Sequence, residues 1–136
     1  MFRRAALLAI LQCLTGAPMA AQAATDLLTH AERTAFVETG RYAEVESLCR
    51  SYQQAYPTAV RCVEFGRTPE GRPILAIVAS QSGALDPAAA RRRGLPVLLA
   101  QGGIHAGEIE GKDAGFIVLR ELLAGRQAAG VLAKAV

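Results

Sequence analysis

The chain has 136 residues with 15 Lys+Arg and 12 Asp+Glu, a formal net charge of +3. Two of the 15 basic residues, Arg3 and Arg4, belong to an N-terminal leader, and the remaining 13 nearly balance the 12 acidic residues. This balance does not favour a nucleic-acid partner. The one basic run outside the leader, Arg91-Arg92-Arg93, has no aromatic neighbours and is interpreted as a solvated loop.

A signal peptide is predicted over residues 1–23. After the basic pair come an apolar run from Ala5 to Leu14, a break at Gly16 and Pro18, and the small-residue site Ala21-Gln22-Ala23. The apolar run is much shorter than the roughly 20 residues of a membrane-spanning helix, so no stable membrane anchor is expected. We therefore expect residues 24–136 to be exported to the periplasm or the extracellular space.

Two helices are predicted at the start of the exported part. Thr29-His30-Ala31-Glu32 has the form of a capping box and predicts a short helix that ends near Gly40. From Tyr42 to Tyr56 apolar residues recur at helical spacing, and Pro57 stops the pattern. The second segment is therefore predicted to be a surface helix with one buried stripe.

Two cysteines, Cys49 and Cys62, remain in the exported part. In an oxidising compartment they could pair and stabilise the fold by about 3 kcal/mol. They could equally be two buried thiols that act as small apolar side chains. The sequence leaves both interpretations open, and the spacing suggests neither redox catalysis nor a zinc knuckle.

A hairpin and a short helix are predicted next. Val60 to Phe65 and Ile74 to Val78 are short strand-like runs, and the residues between them carry Gly and Pro at turn positions. Asp86-Pro87 has the form of an N-cap followed by proline at the first helical position, and Gly94 ends that helix.

A central strand and a long helix complete the predicted elements. Val97 to Ala100 is apolar at every position, as in a strand that helices cover on both sides of a sheet. Lys112 to Leu123 is predicted to form a helix with only a narrow polar edge. The order of elements indicates an α/β fold with a mixed β-sheet flanked by helices. Because three strands with open edges and such an apolar helix do not cover one another, the sequence is predicted to be truncated.

The segment QGGIHAGEIEG, residues 101–111, contains the candidate site. In such sheets ligands gather at the carboxyl ends of central strands, where His105 is expected. Glu108, three residues later, can point back towards the imidazole from the first turn of the helix. A neutral imidazole and a carboxylate are both good ligands for zinc, and a catalytic zinc commonly has three protein ligands and one water. Alternatively, neither residue binds a metal. The helix dipole favours a carboxylate such as Glu108 near a helix start, and His105 could only form a hydrogen bond within a glycine-rich turn.

The motifs on both sides favour the metal interpretation. The turn from Gly66 to Ile74, the apolar strand and the run from Gly103 to Glu108 together resemble the N-terminal part of the zinc metallocarboxypeptidases, the carboxypeptidase A-like family, over about residues 40–125. The resemblance implies that residues 24–136 are the N-terminal part of such a catalytic domain. It also implies that His105 and Glu108 are its first two zinc ligands.

In that family a second His from a later strand completes the ligand set and a Glu near the end of the domain acts as general base, so no catalytic residue is assigned here. His30, the only other histidine, precedes the first strand and is not expected to be a ligand. These 136 residues alone are therefore predicted to show no turnover and to bind zinc only weakly.

The resemblance predicts a secreted zinc metallocarboxypeptidase that hydrolyses the C-terminal bond of a peptide or a peptide-like amide with a metal-activated water. One departure is Gly107, where many digestive members of the family have an arginine, and it favours the more divergent bacterial branches. Two alternatives stay open. One is a deacylase on the same fold, and the other is a non-catalytic secreted binding domain in which the glycine-rich segment is only a turn.

Overall fold

The computed structural model describes residues 27–105 and 107–136. The predicted signal peptide, residues 1–23, lies outside them. Among the described residues no helix is long and apolar enough to span a membrane. The helices are α1 (His30–Arg33), α2 (Tyr42–Ala55), α3 (Pro87–Arg92), α4 (Glu110–Leu123) and α5 (Val131–Lys134), and the strands are β1 (Val60–Arg67) and β2 (Pro73–Ala79).

The predicted capping box opens α1. The Thr29 hydroxyl accepts a hydrogen bond from the Glu32 backbone N–H at 3.2 Å, and the Glu32 carboxylate accepts one from the Thr29 N–H at 2.9 Å. The helix ends at Arg33, well before the predicted end near Gly40. Ala35 and Phe36 have φ of 52° and 62°, a left-handed conformation that does not continue a right-handed helix.

The predicted hairpin is confirmed. β1 and β2 form a two-stranded antiparallel sheet with a register from Val60 opposite Ala79 to Arg67 opposite Pro73, and with an irregularity between Glu64 and Gly66. Both strands extend further than predicted. At the turn the Arg67 guanidinium donates a hydrogen bond to the Gly71 carbonyl at 2.8 Å, which ties the end of β1 to the loop.

The core lies between α2, β1 and α4. Its buried residues are Leu27, Leu48, Tyr52, Val60, Phe116, Leu123 and Leu132. Tyr52 is fully buried, its ring stacks on Phe116 with centroids 5.8 Å apart, and its hydroxyl donates to the Phe116 carbonyl at 2.5 Å. Burial raises the pKa of the Tyr52 hydroxyl, so it stays a neutral donor. The apolar stripe predicted for α2 therefore meets α4 directly.

The two cysteines form a disulfide. Cys49 of α2 and Cys62 of β1 are bonded, with their Cα atoms 5.4 Å apart. The sequence had left pairing and free thiols open, and the structure gives pairing. The bond fixes α2 against the hairpin, since Cys49 is 1% exposed and Cys62 belongs to the ladder with β2.

The predicted central strand is not a sheet strand in the described residues. Val97, Leu98 and Leu99 are 68%, 80% and 83% exposed. The prediction that helices cover both faces of this segment is therefore wrong for the described residues. The Leu98 N–H donates to the Val136 carbonyl at 2.8 Å, and the Val136 N–H donates to the Pro96 carbonyl at 3.0 Å. That is one step of a parallel ladder. The sheet in the described residues has two antiparallel strands, β1 and β2. The described part of the chain is therefore a small fold of helices and strands.

A buried ion pair joins α1 to α4. The Arg120 guanidinium donates to both carboxylate oxygens of Glu32, one of them at 2.9 Å, and to the Leu27 carbonyl at 3.1 Å. The hydrogen bond from Arg120 lowers the pKa of Glu32, desolvation opposes this, and the Thr29 N–H adds to the lowering. Glu32 thus has a capping role that the sequence predicted and a tertiary role that it did not.

We expect this pair to make the fold sensitive to acid. The folded pKa of Glu32 lies below its usual value of 4.5. Its contribution to stability is therefore complete above about pH 4.5 and is lost as the pH falls through the lowered folded pKa. Urea unfolding at about pH 6 and about pH 3.5 should show a steeper loss of unfolding free energy for the wild type than for Glu32→Gln. Equal losses in the two proteins would contradict the assignment.

Candidate metal centre

Glycines shape the loop that carries the candidate ligands. Gly103 and Gly107 have φ of 65° and 96°, a conformation that side chains disfavour. A Cβ added to Gly102 would lie 2.9 Å from the Gly111 carbonyl oxygen, so the start of the loop touches the first turn of α4 backbone to backbone. The glycine-rich composition therefore serves two needs, unusual dihedral angles and a close approach to α4.

The two candidate ligands face each other. His105 Nδ1 lies 2.7 Å from Glu108 Oε1, with the side chains 78% and 49% exposed. The Glu108 N–H donates to the His105 carbonyl at 3.2 Å, which closes a turn between them. Glu108 lies two residues before α4, which begins at Glu110, and not in the first helical turn as predicted. The side chains of His105 and Glu108 lie together, as their spacing predicted, and the turn between them brings them into contact.

The pair suits a zinc ion after a small adjustment. Zinc bonds of about 2.0–2.2 Å at tetrahedral angles place two ligand atoms about 3.3 Å apart. The 2.7 Å between His105 Nδ1 and Glu108 Oε1 is a hydrogen-bond distance, so a bound ion would take the place of this contact and widen the gap slightly. Exposed side chains allow that movement. Among residues 27–105 and 107–136, no group of three His, Cys, Asp or Glu is placed to hold a metal.

The second histidine lies in a different part of the structure. His30 Nε2 is 2.8 Å from Glu38 Oε2, and both residues line a cavity of about 620 Å³ beside the start of α2. The expectation that His30 is not a ligand stays a prediction. The sequence did not predict the contact of His30 with Glu38. The chain reverses through the left-handed residues Ala35 and Phe36 between them, and no sequence pattern indicates that reversal.

A charged network holds the first turn of α4. Lys112 Nζ donates to Glu44 Oε2 at 2.6 Å and to Asp113 Oδ1 at 2.7 Å, with the three side chains 17%, 13% and 9% exposed. The Thr39 hydroxyl donates to Asp113 Oδ2 at 2.8 Å. Burial acts to lower the pKa of Lys112, but the hydrogen bonds to Asp113 and Glu44 outweigh it and raise that pKa. Lys112 is therefore charged at neutral pH.

Sequence reasoning missed this network because its partners are far apart along the chain. Lys112 and Glu44 are separated by 68 residues, and Thr39 and Asp113 by 74. No spacing rule links residues at such distances. The only local signal is the acidic first turn of α4, with Glu110 and Asp113, which is common at helix starts.

Comparison with known proteins gives one family. The family model described as zinc carboxypeptidase matches residues 45–134, which run from α2 to the end of α5 and include His105 and Glu108. The match covers well over half of the 136 residues. At a significant level the chain matches no curated protein and no solved structure.

Proposed function

The chain belongs to the zinc carboxypeptidase family, and from this membership we propose that the protein acts as a zinc-dependent metallocarboxypeptidase. The proposed reaction is hydrolysis of the C-terminal bond of a peptide or a peptide-like amide. The observation that carries the proposal is the contact of His105 Nδ1 with Glu108 Oε1 at 2.7 Å inside the matched segment. Residues 24–136 are proposed to be the N-terminal part of the catalytic domain.

His105 and Glu108 are the proposed metal ligands. A zinc ion would supply a Lewis acid for the scissile carbonyl and a water activated at neutral pH. The imidazole would offer Nδ1, and the carboxylate would offer Oε1 and a negative charge. The positive φ of Gly103 and Gly107 sets the path of the loop between α4 and the extended segment. Because both side chains are well exposed, a substrate can reach them.

No catalytic residue is assigned among the described residues. The family's third ligand and its general base are expected on other residues, and two protein ligands leave a zinc ion mostly hydrated. We therefore expect no turnover from residues 24–136 by themselves. Gly107, which replaces the arginine of many digestive members, favours a substrate preference different from theirs.

Export of the protein is part of the proposal. Residues 1–23 have the pattern of a signal peptide, and the Cys49–Cys62 disulfide suits an oxidising compartment such as the periplasm or the extracellular space. Neither a nucleic-acid partner nor a stable membrane anchor is proposed. Arg91 and Arg92 at the end of α3, and Arg93 just after it, are exposed without an aromatic neighbour in the run.

Zinc titration tests the metal site. We expect residues 24–136 to bind about one zinc ion weakly, and His105→Ala to weaken that affinity by about tenfold or more because the ion loses one of two protein ligands. His30→Ala is the matched control, since it also removes an imidazole paired with a glutamate. Competition with a chromophoric chelator measures the affinities.

Three outcomes would change the assignment. Equal zinc affinities for the wild type and His105→Ala would contradict the metal site and favour the interpretation of the glycine-rich segment as only a turn. Loss of binding in His30→Ala would place the site at the other histidine. Tight stoichiometric binding by the wild type would reveal a third protein ligand within these residues.

A further inference from the structure

The loop that carries the candidate ligands has almost no packing of its own. Every described residue from Pro96 to Glu110 is exposed, so no buried side chain fixes the loop on the core. Backbone contacts hold it at two places: Pro96 and Leu98 hydrogen-bond to Val136, and Gly102 lies against Gly111 at the start of α4. Gly102 approaches Gly111 so closely that an added Cβ would lie within 3.1 Å of three Gly111 backbone atoms. The placement of His105 and Glu108 therefore depends on the placement of the first turn of α4.

Side chains from distant parts of the chain hold that first turn. Lys112 reaches Glu44 in the first turn of α2, and Asp113 accepts from Thr39 in the segment before α2. Glu44 in turn accepts a hydrogen bond from the His30 backbone N–H at the start of α1. The ammonium and both carboxylates are largely shielded from water, so these contacts are weakened little by solvent screening.

Lys112 and the loop meet at the same turn of α4. A Cβ built on Gly103 would lie 3.2 Å from the Glu108 carbonyl oxygen and 4.0 Å from Lys112 Cβ, so Gly103 lies near the start of the Lys112 side chain. The ammonium at the other end of that side chain is fixed by Glu44 and Asp113. Lys112 therefore lies between the ligand loop and α2.

We propose that Lys112 and Glu44 are positioning residues for the metal pair: their ion pair fixes the first turn of α4 and thereby the relative placement of His105 and Glu108. This inference rests on the proposed function, because it assumes that the pair binds zinc. Neither Lys112 nor Glu44 touches the metal. Their effect is transmitted through the first turn of α4 and the close approach of Gly102 to Gly111.

The test compares zinc affinities of Lys112→Met and the wild type. We expect Lys112→Met to bind zinc about tenfold more weakly, the lower end of what supporting residues contribute to metal sites. Coulomb's law alone predicts the opposite sign, because removing a nearby positive charge favours a bound cation. A weaker affinity therefore identifies positioning and not a general charge effect.

Three further variants sharpen the comparison. Lys112→Arg keeps a cation that can reach Glu44 and should restore part of the affinity. In a His105→Ala background, Lys112→Met should change affinity less than about twofold, because the residue through which it acts is gone. Arg126→Met is the matched control, since it breaks an ion pair with Glu121 at the other end of α4 and should leave zinc affinity unchanged.

All measurements are made at a temperature at which far-UV circular dichroism shows each variant to be folded. If Lys112→Met does not fold, Lys112→Gln takes its place in the comparison, because it removes the same positive charge and keeps a hydrogen-bonding side chain. An affinity of Lys112→Met equal to or tighter than that of a zinc-binding wild type would overturn the inference and leave the proposed function standing. Equal affinities of the wild type and His105→Ala would instead overturn the proposed function and this inference with it.

Discussion

Removing the Cys49–Cys62 disulfide is expected to lower the free energy of unfolding by about 3 kcal/mol. The bond closes a loop with a sequence separation of 13, and a cross-link of that length removes about this much free energy from the unfolded chain through lost conformational entropy. It also holds α2 on β1, so its loss frees the helix from the hairpin. A double variant, Cys49→Ala/Cys62→Ala, and the reduced wild type should be destabilised to similar extents in urea unfolding.

Reductant added to the double variant serves as the control, because this variant has no disulfide left among residues 24–136. It should leave the unfolding midpoint unchanged. If reduction shifts the unfolding free energy by less than about 0.5 kcal/mol, the entropic account is wrong for this loop. If only the double variant is destabilised, the loss lies in the packing of the buried Cys49 and not in the cross-link.

Arg120→Met is expected to destabilise the fold by about 3 kcal/mol. The Arg120 side chain is 9% exposed and its partner Glu32 is 15% exposed, so water replaces the lost ion pair poorly. Removing the guanidinium leaves a largely buried carboxylate with only its bonds to Thr29, and it leaves the Leu27 carbonyl without this donor. Urea unfolding at neutral pH measures the loss.

Two comparisons separate this effect from a simple change of charge. Arg126→Met breaks the pair with Glu121, whose arginine is 53% exposed, and should destabilise the fold much less than Arg120→Met. Arg120→Lys keeps the charge but loses the two parallel hydrogen bonds to the carboxylate, and should be intermediate. A cost for Arg120→Met no larger than that for Arg126→Met would contradict the expectation.

Elements governed by near neighbours were predictable. The capping box at Thr29 and Glu32 joins residues three apart, and the hairpin follows from apolar runs with Gly and Pro between them. The contact of His105 with Glu108 was also expected from their spacing of three residues, and the turn between them makes it possible. In each case the geometry depends on residues that lie only a few positions apart along the chain.

Helix ends were less predictable. The helix opened by the capping box was predicted to reach Gly40 and ends at Arg33, and the helix predicted from Lys112 begins at Glu110. In the first case two non-glycine residues adopt left-handed dihedral angles, and no residue type there signals the break. In the second, the first two residues of the helix, Glu110 and Gly111, do not belong to the apolar pattern from which the helix was predicted.

The sequence by itself determined the capping box, the hairpin and the family to which the chain belongs. Only the tertiary structure decided that Cys49 and Cys62 pair, that Arg120 meets Glu32, and that Lys112 meets Glu44. It also decided that Val97 to Leu99 are exposed in the described residues instead of covered on both faces. The physical reason is the range of the contacts. A helix cap or a turn depends on dihedral angles of adjacent residues, whereas a contact across 68 or 88 residues depends on how every intervening element packs.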